Sequence, residues 1–260
     1  MKWQKLYTQS FEKGLYTDWL TQLSPGDRAR ALSCAQKFAG CWLTTTDKLQ
    51  TSNADFSCAV HLRLGLPFYD DWKVGEDPAG CLADLHHDNA SKCARSKCIE
   101  DCIAGWIQRA GGYAETQPED LWLDDGRHPD IDVKLGRDRY LLDVSFVHPT
   151  APTYVSLARN PMGGSANMVK LKHEKYLALA RKVGATVIPV VLETFGALAD
   201  PAVDFFKVVA SYGHERGSSL YSWREIYLGI VAELSHRLQE WNADVIRHAA
   251  SKSSDVHVLR

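Results

Sequence analysis

Apolar positions recur with two different periods along the 260 residues, and the change of period divides the chain. To about residue 66 the spacing is helical, with Phe11, Leu15, Trp19, Leu20 and Leu23 marking a first helix. Ser24-Pro25-Gly26-Asp27 breaks it and starts a second helix, predicted to run through about Leu43. Phe56 to Leu66 predicts a third, ended by Pro67. The segment from Lys73 to Ser91 is rich in Gly, Pro, Asp and His and predicts irregular structure. Helical periodicity returns over Cys93 to Ala110 and stops at Gly111-Gly112.

The period then shortens. Ile131 to Val133 and Tyr140 to Val147 are β-branched and aromatic runs flanking Gly136-Arg137-Asp138, which predicts a hairpin. A helix follows from about Ser165 to Val183, closed by Gly184, and Thr186 to Leu192 reads as a buried strand that tolerates one proline. Helices around Ala202 to Tyr212 and Trp223 to Ala250 complete the chain. These boundaries give a helical N-terminal region (1–72), a Cys/His-containing linker with the first core helix (73–110), an α/β core (111–200) and C-terminal helices (201–260).

Composition adds little to this outline. A hydrophobic fraction of 45% and a charged fraction of 24% are those of a chain that buries a core, which excludes a disordered class. No apolar run reaches the roughly 18 residues of a membrane span, and Met1 to Leu15 has no signal-peptide stretch, so a soluble intracellular protein is expected. Seven cysteines, an odd number, argue against a disulfide framework. The net charge of −2 leaves nucleic-acid binding to local patches, and the charge is patterned accordingly. Glu115 to Asp143 holds nine acids against four bases; Ser156 to Lys182 holds six bases against one acid. Within the basic stretch Arg159, Lys170, Arg181 and Lys182 are candidates for contact with phosphate.

The candidate chemistry lies where these blocks meet. Asp130 opens the hairpin and Asp143 lies on its second strand, 13 residues later. Carboxylates that converge repel unless a proton or a cation neutralises them. Two of them with substrate phosphate and water suit Mg²⁺, or Mn²⁺, and the ion activates water for phosphodiester hydrolysis. A nearby ammonium orients that water or stabilises the charge that develops. Lys172 and Lys175, three apart on the next helix, share a face and can supply it. Glu100, on the preceding helix, is a candidate for an additional acidic ligand. The bland alternative pairs Asp143 with Arg139 and leaves the lysines on a solvated helix face.

This order resembles the PD-(D/E)XK nuclease fold, which implies an α/β protein: a restriction-endonuclease-like core, a small mixed sheet flanked by helices, with helical N- and C-terminal extensions. That pattern expects Lys two residues after the second acid, where this chain has Ser145, read as non-catalytic. The displacement suggests a narrower likeness. Arg127-His128-Pro129-Asp130, then Tyr140 through Pro149, then Lys172-x-x-Lys175-Tyr176, resembles the restriction-like endonuclease domain of site-specific non-LTR retrotransposons. In that family too the lysine sits on the helix after the strand. Phe56 to Pro67 resembles the linker before that domain, and Val187 to Gly196 the strand after it.

The likeness spans roughly residues 10 to 210. It implies DNA nicking, which in that family supplies a primer for reverse transcription, and a nuclear location. No Tyr-x-Asp-Asp polymerase motif is present, so a free-standing version is expected. It further implies a Zn²⁺ site ahead of the core, for which Cys81, His86, His87 and Cys93 are the candidates. The family's paired first cysteines appear here as Cys81 alone, and Asn89 stands at the expected place of its histidine. Cys98 and Cys102, at i and i+4, read as small core residues in a decayed site. The eight tryptophans are scattered, show no spacing suited to base stacking, and read as core.

Two rivals stand beside the nuclease. A relative that no longer cuts would serve as a nucleic-acid-binding or structural subunit of a larger assembly. A protein-interaction module would show an exposed apolar patch on the terminal helices. Convergence of the carboxylates with a lysine favours the enzyme; Asp143 turned away, or paired with an arginine, favours the first rival.

Overall fold

The structure, a computed structural model, describes residues 2–43, 51–66, 89–122, 128–216 and 221–252. Three helices come first: α1 (Lys2–Gln22), α2 (Pro25–Cys34) and α3 (Asn53–Leu64). The serines before α2 and α3 explain where these helices begin. Ser24 Oγ accepts from the Asp27 amide and Ser52 Oγ from the Asp55 amide, each at 3.1 Å, satisfying a donor that the first turn leaves open. Then come α4 (Asn89–Arg109), β1 (Tyr113–Thr116), β2 (Ile131–Leu135), β3 (Asp138–Val147), α5 (Gly163–Val183), β4 (Thr186–Glu193), α6 (Asp200–Glu215) and α7 (Trp223–Lys252).

The four strands form one mixed sheet in sequence order. β1, β2 and β3 are antiparallel neighbours and β4 joins β3 in parallel, with Asp143 opposite Pro189. β4 is an edge strand whose outer side is bridged only near its end, Leu192 to Leu198, beyond Pro189, so a proline can be accommodated there. The tight β2–β3 connection turns on Gly136, whose φ of 66° is open to glycine at little cost.

β3 sorts its side chains between two layers by simple alternation. Leu142 and Val144 join Ile99, Ile103 and Ile107 of α4, Phe206 of α6 and Ile230 of α7 in the main core. Leu141 faces the other way, onto Tyr176, Leu179 and Ala180 of α5. The sheet therefore lies between α5 on one face and α4, α6 and α7 on the other. At the end of β4 the buried Glu193 carboxyl accepts hydrogen bonds from Ser33 of α2 and, at 2.8 Å, from Ser165 of α5. Burial holds its pKa above the usual carboxylate range.

Four sequence expectations change. The second helix stops at Cys34 rather than near Leu43; turns follow, with Phe38 at a left-handed φ of 70°, and then a short 3₁₀ turn, Cys41–Leu43. The strand β1 was not visible in the periodicity, being four residues long and mostly exposed. One helical turn, Pro152–Val155, intervenes before α5. The tryptophans are not all core: Trp42 is buried, whereas Trp19 and Trp122 are 47% and 53% exposed. Among the candidate zinc ligands, Cys81, His86, His87 and the Cys93 side chain lie outside the described residues. On α4, Cys98 is exposed and Cys102 buried, both as free thiols.

The start of α5 depends on close backbone approach. A methyl group at Gly163 would lie 2.0 Å from the Leu157 carbonyl oxygen, a contact that backbone cannot yield cheaply. Gly105, within α4, has open space where its Cβ would be. Gly163→Ala is expected to destabilise the fold by about 1–3 kcal/mol. Gly105→Ala should stabilise it by about 0.5–1 kcal/mol through helix propensity. Urea denaturation of both variants checks the opposite signs.

Candidate functional site

Register and alternation bring the two acids together. Ile131 pairs with Leu142, so one further step along the hairpin sets Asp130 across from Asp143. The Asp130 backbone is held from both sides: its amide donates to Leu142 O at 2.9 Å and its carbonyl accepts from the Gln117 amide at 2.8 Å. Its carboxylate Oδ2 accepts from the Val144 amide at 2.6 Å. Asp143 shares the β3 face of Leu141, and that face meets α5.

Asp143 is 2% exposed, and its charge is answered by lysine. Lys172 Nζ lies 2.6 Å from its Oδ2 and Lys175 Nζ 3.6 Å from its Oδ1, while Ser145 Oγ donates to Oδ2 at 3.2 Å. The Lys175 ammonium also donates to the Tyr176 hydroxyl, which donates to His128 O at 2.7 Å. Arg139, the alternative partner for Asp143, instead makes a two-pronged pair with Asp132, with both contacts at 2.8 Å.

These groups line an open cleft of about 790 Å³ that also takes in Ser96, Lys97, Glu100, Thr116, Gln117, Glu119 and His128. Glu100 is buried and accepts from Ser96 Oγ at 2.6 Å and from Gln117 Nε2 at 2.7 Å. Gln117 thus touches two of the acidic residues, Glu100 through its side chain and the Asp130 carbonyl through its backbone amide. Sequence reasoning missed both Gln117 and Ser96: a Gln past a strand end and a Ser one turn before a Glu carry no distinctive pattern.

The Asp130 carboxyl is pushed up to about 7, chiefly by burial, then by the charges of Asp143 and Glu100; the Val144 amide and Lys172 pull it back. Four carboxyls, Glu100, Glu119, Asp130 and Asp143, line the cleft against three lysines, Lys97, Lys172 and Lys175, a donor set short of positive charge. Two aspartates with water and substrate oxygens satisfy Mg²⁺, which takes few protein ligands. Among the described residues no group of three or more His, Cys, Asp or Glu side chains is arranged to hold a metal by itself.

The other basic candidates stand apart. Arg159, Lys170, Arg181 and Lys182 are exposed, and none lines the cleft among the described residues. On α5, Lys170 and Arg181 lie roughly opposite the face carrying Lys172, Tyr176 and Leu179, by the 3.6-residue period. No helix among the described residues is long and apolar enough to cross a membrane. Compared with known proteins, the chain matches no family model and no curated protein.

The elevated Asp130 carboxyl has a consequence for stability. A carboxyl whose pKa is higher folded than unfolded favours folding most at acid pH. That contribution is lost as pH rises from the ordinary carboxylate range through about 7. Asp130→Asn keeps an oxygen for the Val144 amide and removes the buried charge. In the presence of EDTA the variant should exceed wild type in stability at about pH 8, by on the order of 1–3 kcal/mol. The gap should narrow towards about pH 5, as read from urea midpoints. A gap independent of pH would contradict this account of Asp130.

Proposed function

We propose that this protein is a Mg²⁺-dependent endonuclease that hydrolyses DNA phosphodiester bonds, built on a PD-(D/E)XK core and akin to the retrotransposon endonuclease domain. The observation that carries the proposal is the meeting of Asp130, Asp143 and Lys172 in one open cleft. The element order supports it as well: α4, a three-stranded antiparallel meander, α5 and a parallel fourth strand. The lysine reaches the acids from α5, and Ser145 occupies the place two residues after the second acid.

Hydrolysis forms one phosphorus–oxygen bond from water and breaks one to a sugar oxygen. The water gives up a proton and the departing oxygen takes one. Asp130 and Asp143 are the residues that would hold the divalent cation, which when bound supplies an activated water and offsets charge on the phosphate. Lys172 and Lys175 present ammonium groups to a phosphate in the cleft, donating to its oxygens as negative charge builds. Tyr176 fixes the Lys175 ammonium and, through His128 O, the turn that leads into Asp130.

The second reading is a relative that binds nucleic acid without cutting it, within a larger assembly. What favours it is the saturation of Asp143 by Lys172 and Ser145, which leaves the carboxylate well satisfied as it stands.

Nicking of supercoiled plasmid with Mg²⁺ or Mn²⁺ separates the two. Wild type should nick, Asp143→Ala should abolish nicking, and Lys172→Ala should slow it by about 100-fold or more. DNA binding by wild type with no cleavage of the plasmid or of single-stranded DNA would establish the non-cutting subunit instead.

A further inference from the structure

Trp122 stands out among the tryptophans because it is exposed and meets a residue that lines the cleft. Its neighbour Leu121 is buried with Leu141, Tyr176 and Leu179 in the layer beneath α5, which anchors the backbone at this point. The indole itself is 53% exposed. It meets His128 at 4.6 Å between ring centroids with planes at 63°, an edge contact that leaves ring surface open. His128 lines the cleft two residues before Asp130, and its carbonyl receives the Tyr176 hydroxyl. An exposed aromatic surface therefore adjoins the pocket that holds the acids and lysines.

Leaving half an indole in water forgoes apolar burial, and a ring with only two χ angles loses little entropy when it stacks. A nucleic-acid base supplies the matching flat partner, and base–aromatic stacking contributes about 1–3 kcal/mol per base. The bases of an uninterrupted duplex are already stacked on each other; only an unpaired base offers a free face. We propose that Trp122 is a stacking platform for an unpaired base next to the scissile phosphate, so that the substrate is single-stranded or forked DNA rather than continuous duplex. This inference rests on the nuclease reading of the cleft and specifies its substrate.

Binding tests it separately from cleavage. Fluorescein-labelled single-stranded, forked and uninterrupted duplex oligonucleotides are titrated in Ca²⁺, with wild type, Trp122→Ala and Trp122→Phe. Circular dichroism confirms that the exposed-site variants fold. Wild type should prefer the forked and single-stranded DNA by about 10-fold over duplex. Trp122→Ala should lose that preference and Trp122→Phe keep most of it. A 2-aminopurine at the unpaired position should be quenched by wild type and not by Trp122→Ala, which a merely structural role would not produce. Equal affinity of wild type for all three DNAs, or losses in Trp122→Ala that are absent or alike for all three, overturns the proposal, as does a lack of binding to any of them. Selective, Trp122-dependent binding with no cleavage of the single-stranded or forked oligonucleotide in Mg²⁺ or Mn²⁺ leaves the stacking platform in place and removes the nuclease reading instead.

Discussion

The burial of Asp143 on the third strand is the constraint on which the rest of the site depends. A carboxylate removed from water in mid-sheet is strongly unfavourable unless a cation and hydrogen bonds answer it. Lys172 answers it from α5, with Ser145 and Lys175 beside it. That requires the helix to cross the sheet face at one height and one rotation. The crossover is fixed below by Leu141, Tyr176 and Leu179, and at its start by the approach of Gly163 to the Leu157 carbonyl. Ser165, near the same start, ties α5 to Glu193 at the end of β4. The packing that closes the core thus also aims the lysines.

Asp130 shows the opposite balance. Its backbone is well held, yet its side chain faces Asp143 and Glu100 with only partial compensation, and its carboxyl rises towards neutrality. A fold selected for stability alone has no reason to gather four acids, Glu100, Glu119, Asp130 and Asp143, around an open cleft. Such gatherings are characteristic of sites that handle protons, cations or phosphate. The strain is local, because Gln117 and Ser96 hold Glu100 and the β2–β3 ladder holds Asp130 regardless of what enters the cleft.

Much of this architecture is legible in the sequence where a local rule governs it. Gly111, Gly136 and Gly184 mark real chain reversals, each with positive φ, and the helices around them follow the apolar period. The pairing of Asp130 with Asp143 is legible too, since a short hairpin fixes register. What escapes local reading is whatever depends on a distant partner. β1 forms because β2 offers it an edge, not because Tyr113–Thr116 has a pattern of its own. Gln117 matters because its strand ends beside α4. Trp122 and Trp42 are the same residue type, one half in water and one buried, and nothing adjacent to them in sequence tells them apart.

By itself, then, the sequence determined the helices, the hairpin, the acidic and basic blocks and the candidate acids, since periodicity, turn chemistry and short-range register act within a few residues. Only the tertiary structure decided that Lys172 rather than Arg139 meets Asp143. It alone decided that Lys170 and Arg181 face away from the cleft, and that one tryptophan is left open at its edge. Those outcomes turn on the height and rotation of α5 against the sheet and on which surfaces the core covers, and both are settled by packing between residues far apart in the chain.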